Sequence, residues 1–118
     1  MIIPSNKFNF KDGLMKSVEV YTHLKNLLKE KELSVSVGDE GGFAPNLKTS
    51  EEVLDLIILS IERAGLIYLD DISIALDCAA SELFNKDTYR LTGENKKCSS
   101  EEMIVYIQSL VDKYEIKS

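Results

Sequence analysis

The chain has 118 residues, 44% apolar and 29% charged, with a formal net charge of -6. That size and apolar share allow one small core, while the acidic balance, with no Lys/Arg cluster to offset it, argues against a nucleic-acid binder. No apolar run is long enough to span a bilayer and the N-terminus lacks the pattern of a cleaved leader, so a cytoplasmic location is expected.

Asn9-x-x-Asp12 reads as a helix start, with Asn9 as N-cap and an acid in the first turn. Leu14, Val18, Tyr21, Leu24 and Leu28 then recur at helical spacing, which predicts a first helix from about Phe10 to Lys31 with that stripe facing inward. Gly13 lies inside its first turns, where glycine costs about 0.5–1 kcal/mol against alanine. The run from Val37 to Asn46 follows, with Gly38, Gly41, Gly42 and Pro45 as loop punctuation around the adjacent acids Asp39 and Glu40. Thr49-x-x-Glu52 is a capping box opening a second helix, whose stripe of Val53, Leu56, Ile57, Ser60, Ile61 and Ala64 stops at Gly65.

Ile72 to Asp77 alternates as a strand does, with Ile72, Ile74 and Leu76 on one face and Ser73, Ala75 and Asp77 on the other. If the bulky face packs on helices, Asp77 points the opposite way at the strand's C-terminal end. Turn residues at Asn85-Lys86-Asp87 and Gly93-Glu94-Asn95 bracket Tyr89-Arg90-Leu91, so the stretch from Phe84 to Cys98 predicts a small hairpin. Ser99-x-x-Glu102 is another capping box, leading a helix with Met103, Ile107, Leu110, Val111 and Tyr114 on one face. Cys78 and Cys98 have neither metal-finger nor redox spacing and read as reduced structural thiols. His23, the only histidine, has no partner suggested by sequence and is not expected to be catalytic.

Two motifs carry a resemblance. Val37-Gly38-Asp39-Glu40-Gly41-Gly42-Phe43-Ala44-Pro45-Asn46 and Ala75-Leu76-Asp77-Cys78-Ala79-Ala80-Ser81-Glu82 resemble, in order and separation, the two acidic motifs of the enolase family. Leu83 departs from the aromatic residue often found after the second. The resemblance extends to both ends: Met1-Ile2-Ile3-Pro4 resembles the end of an early barrel strand, and Glu115-Ile116-Lys117-Ser118 the beginning of a later one. It implies an α/β fold: a partial (β/α) barrel in the order strand, helix, loop, helix, strand, hairpin, helix, truncated before the next strand. Two consecutive helices break strict alternation, an irregularity that the family shares.

A closed barrel takes about 250 residues. The expectation is therefore an internal fragment of the C-terminal barrel domain over residues 1–118, with the N-terminal domain and the rest of the barrel absent. Half a barrel would leave the Ile72 to Asp77 strand without a neighbour on at least one side.

The resemblance implies reversible dehydration of 2-phosphoglycerate to phosphoenolpyruvate. Glu40 matches the family's general acid for departure of the C3 hydroxyl, a role that needs burial or nearby negative charge so that the acid keeps its proton near neutrality. Asp77 matches a ligand of the tightly held Mg2+, which takes an octahedral oxygen shell that one carboxylate cannot supply. Asp39 either orients Glu40 or a neighbouring basic group, or caps the turn. Gly41 and Gly42 give the loop room to approach a ligand, and Ser81 shapes the loop beside Asp77. The lysine base expected in this family, the other metal ligands and the phosphate-binding residues match nothing here, so the fragment alone is expected to be inactive. The longer subunit is expected to be a homodimer or higher oligomer. The alternative from another class is a free-standing acidic protein derived from enolase and kept for partner binding.

Overall fold

A computed structural model describes residues 1–118. The order is β1 (Ile2–Pro4), α1 (Phe10–Glu30), α2 (Ser50–Arg63), β2 (Ile72–Ile74), α3 (Ala80–Leu83), β3 (Phe84–Asn85), β4 (Thr88–Leu91), β5 (Lys96–Cys98) and α4 (Ser100–Tyr114). The three long helices start where the capping residues predict. Asn9 Oδ1 accepts the Asp12 backbone N–H at 2.9 Å, and Ser99 and Glu102 form a reciprocal box. At α2 only half the box forms: Thr49 accepts from the Glu52 N–H, but the Glu52 carboxylate takes the N–H of Lys48, one residue further out. The helix ends at Ala64, with Gly65 in the left-handed region at φ 71°.

Two successive helices between β1 and β2 set the sense of the sheet. Each helix reverses the chain, so a strand, two helices and a strand bring the second strand back antiparallel to the first. The pairing is Ile2 with Ile74, Ile3 with Ser73 and Pro4 with Ile72. It continues at Ala75, which exchanges bonds with Met1 at 2.8 and 2.9 Å. On the other edge the Lys117 N–H reaches the Ile74 carbonyl at 2.8 Å and the Leu76 N–H reaches Ser118 at 2.9 Å, both segments advancing in the same direction. The expectation that this strand lacks a neighbour on one side is therefore corrected: both ends of the chain fold onto it. The result is an open piece of barrel.

Strand parity follows the sequence. Ile72 packs with Val20, Ile61 and Leu66, while Ile74 packs with Leu54, Leu110 and Tyr114. Asp77, on the opposite parity, is exposed. The face of α1 differs from expectation. Of the predicted stripe only Leu28 is buried; Leu14 and Val18 are 54% and 56% exposed, and the inward residues are Gly13, Val20, Leu27 and Leu28. Both stripes have helical spacing, and Gly13 favours the second: a Cβ there would stand 3.2 Å from the Pro4 Cβ, so its absence lets β1 lie against the helix. The cost of a helical glycine thus accompanies a close approach.

The expected hairpin is a three-stranded antiparallel meander, because Phe84 and Asn85 pair with Tyr89 and Thr88 ahead of the β4–β5 pairing. Lys86 and Asp87, both at positive φ, make the first tight turn. The meander is tied to the helices by Glu94. Its Oε1 accepts from the Ser50 N–H at 3.1 Å, the Ser50 hydroxyl at 3.2 Å and the Tyr106 hydroxyl, and Lys96 sits 4.5 Å over the Tyr106 ring. Partial burial alone would raise the Glu94 carboxyl, but the bonds from Tyr106 and Ser50 outweigh it and hold Glu94 below its ordinary value. Burial, then the bond to Glu94, pushes Tyr106 up to about 12.

Because Glu94 is depressed in the folded state, its contribution to stability is present above the unfolded carboxylate value, about 4.3, and is lost as pH falls through the folded value. Thermal melts from pH 7 to pH 3 should therefore show a smaller acid-side loss in Glu94→Gln than in the parent. Equal losses would show that Glu94 does not carry this linkage.

Candidate active site

The loop after α1 closes on itself through backbone bonds. The Gly38 N–H reaches the Gly42 carbonyl at 2.9 Å, Gly41 N–H reaches Gly38 at 3.0 Å and Ala44 N–H reaches Ser36 at 3.1 Å, with Val37 bridged to Phe43. Asp39 and Glu40 stand at the tip. Gly41 adopts φ 84°, a conformation that a side chain rarely permits, and a Cβ at Gly42 would meet nothing within 4 Å, so the space beside Glu40 is open. Both acids are exposed and neither side chain accepts a hydrogen bond. Backbone bonds close the turn, and the Asp39 side chain takes no part in them. It makes no bond to Glu40 either. The burial that a proton-holding Glu40 requires is not supplied within these residues.

Tyr21 contacts the acid loop, which its expected position did not predict. Expected in the inward stripe of α1, it instead stacks on Phe43 with ring centroids 4.3 Å apart and planes at 23°, and its hydroxyl donates to the Gly41 carbonyl at 3.1 Å. No local pattern pairs these residues, because the contact depends on the loop turning back along the helix.

Asp77 ends the β2 run and makes a tight turn, its Oδ1 accepting the Ala79 N–H at 3.2 Å. Ala79 is left-handed at φ 42°, and the single turn of α3 follows, closed by the Glu82 N–H on the Ala79 carbonyl. Ser81 lies exposed in that turn and its hydroxyl makes no hydrogen bond. Asp77 also borders an apolar cavity of about 230 Å³ between α2, α4 and the meander, with Leu54, Leu83, Leu91, Met103 and Leu110 among its walls. No hydrogen bond joins the Glu40 loop to the Asp77 segment. His23 is half-buried with no hydrogen-bond partner, and Cys78 and Cys98 are free thiols, exposed and buried respectively.

The chain does not by itself fit a magnesium ion. Nowhere do three His, Cys, Asp or Glu side chains converge, and Asp77 stands as a single carboxylate where Mg2+ takes six oxygens.

A central strand with helices on its bulky face and an acid beyond its C-terminal end fits a segment of a (β/α) barrel. The chain belongs to the enolase family: the family model for "Enolase, C-terminal TIM barrel domain" matches residues 1–118. It is 50% identical over 119 residues to the enolase of Wolinella succinogenes, 47% over 118 to that of Natranaerobius thermophilus and 49% over 119 to that of Helicobacter hepaticus. Each match takes in 100% of this chain, and the chain spans 28% of each relative's length.

Titration calorimetry of the 118-residue chain with Mg2+ should show no stoichiometric site tighter than about 0.1 mM, an affinity typical of dedicated multi-carboxylate sites. A tighter site would mean that the chain brings further oxygens to Asp77.

Proposed function

We propose that these residues are a catalytic-domain segment of a phosphopyruvate hydratase, a lyase that reversibly dehydrates 2-phosphoglycerate to phosphoenolpyruvate in glycolysis and gluconeogenesis. The observation that carries this reading is the position of Glu40, at the tip of a glycine-bordered loop with open space beside it, in a chain matched over its whole length by the enolase barrel family. In this role Glu40 donates the proton that lets the C3 hydroxyl leave as water. Gly41 and Gly42 let the loop approach the substrate, and Asp39 orients Glu40 or a neighbouring basic group, or shapes the loop. Asp77 would be one carboxylate of a Mg2+ site whose other oxygens come from outside these 118 residues, and such an ion would supply positive charge against the negative charge of the intermediate. The base that removes the C2 proton likewise lies elsewhere in the subunit. We assign the segment to a cytoplasmic, homo-oligomeric enzyme; no helix is long and apolar enough to cross a membrane.

The test is Glu40→Gln in the full-length subunit. The amide keeps size and polarity but cannot donate the carboxyl proton, so turnover should fall by about 10²–10⁴-fold, the usual worth of general acid catalysis. Substrate binding and exchange of the C2 proton with deuterated water should persist. A parallel fall in exchange and dehydration would reassign Glu40 to positioning, and unchanged turnover would return it to a solvated loop acid.

A further inference from the structure

We infer that Tyr21 is a positioning residue for Glu40, acting through the aromatic stack on Phe43 and the hydrogen bond to Gly41. The inference rests on the reading of Glu40 given above. The acid loop makes three backbone bonds within itself or with the segment leading into it, and these fix its internal shape without fixing its direction. Neither Asp39 nor Glu40 has a side-chain partner to anchor the tip. The only side-chain hydrogen bond received by the loop comes from Tyr21, and it lands on Gly41, the residue next to Glu40.

The stack supplies the second anchor. Phe43 belongs to the segment that closes the loop against Val37, and its ring lies nearly parallel to that of Tyr21. The tip is thus held at two points by one side chain. Tyr21 projects from a 21-residue helix that is itself packed on α2 and β1, so the loop takes its orientation from a rigid element rather than from its own flexible backbone. On the same helix Leu14 and Val18 are 54% and 56% exposed, whereas Tyr21 is 38% exposed and covered in part by Phe43. A general acid must meet its leaving group within hydrogen-bond reach, and a displacement of about 1 Å can cost on the order of a hundredfold in rate.

The experiment uses the full-length subunit and four variants: Tyr21→Leu, Tyr21→Phe, Glu40→Gln and the double variant Tyr21→Leu with Glu40→Gln. Tyr21→Leu, which loses both stack and hydroxyl, should lower kcat for dehydration by about tenfold to a hundredfold. KM for substrate and the rate of C2 proton exchange should stay within about twofold, because neither depends on Glu40. Tyr21→Phe keeps the stack and should recover most of the turnover. In the Glu40→Gln background Tyr21→Leu should cost nothing more, since the group it positions is gone. A Tyr21→Leu enzyme with parental kcat would overturn the inference. So would equal losses in exchange and dehydration, or the same loss with and without Glu40, either of which would mark a general structural role. Failure of the underlying reading is distinguishable: there Glu40→Gln itself would turn over at the parental rate.

Discussion

Two side chains hold the segment together. Ile72 and Ile74 have no exposed surface, and each is the meeting point of a separate apolar cluster, one shared with α1 and α2 and the other with α2 and α4. Completely burying such a side chain contributes about 1.5–3 kcal/mol, and truncating it to alanine commonly costs about 2–5 kcal/mol once the cavity is included. The larger consequence is geometric. With both isoleucines facing the helices, the chain leaves β2 toward Asp77, which is exposed three residues beyond the strand's last residue, so packing of the strand sets where that acid emerges. Both termini then add hydrogen bonds to the same strand, which burial alone would not have satisfied.

The acid loop is organised on a different principle. It contributes no residue to either apolar cluster, and its shape comes from backbone bonds that glycine permits. This division suits a site: the strand end is fixed by the core, whereas the loop is fixed by local geometry and a tether. The meander on the far side repeats the pattern, with little burial of its own and a polar attachment through Glu94 to Ser50 and Tyr106.

Much of this was legible in the residues. Asn9, Thr49 and Ser99 mark helix starts because a side-chain oxygen one residue before a helix satisfies an otherwise unpaired N–H, which is a local event. Ile72 and Ile74 declared their face for a similar reason, since the strand period is short and the side chains are unambiguous. The inner face of α1 was not legible, because two stripes of helical spacing compete and the choice turns on whether β1 can approach Gly13, a contact between distant segments of sequence. The second strand neighbour of β2 was missed for the same reason. Glu94 gave no signal beyond a turn, as its partners lie in helices on either side of it in sequence. At the proposed site, Glu40 and Asp77 are singled out by their motifs, while the contact of Tyr21 with the loop is not, because its partners become neighbours only after the loop folds back.

The stack of Tyr21 on Phe43 also has an optical meaning. The chain has no tryptophan and five tyrosines, so its near-ultraviolet absorption and emission come chiefly from phenol rings. The hydroxyls of Tyr68, Tyr106 and Tyr114 are engaged with carbonyl or carboxylate groups around α4, whereas the hydroxyl and ring of Tyr21 are engaged with the acid loop. A movement of that loop changes the surroundings of one chromophore and leaves those three where they are. The segment therefore carries a native spectroscopic label on the element that bears Glu40, with no dye or foreign residue required.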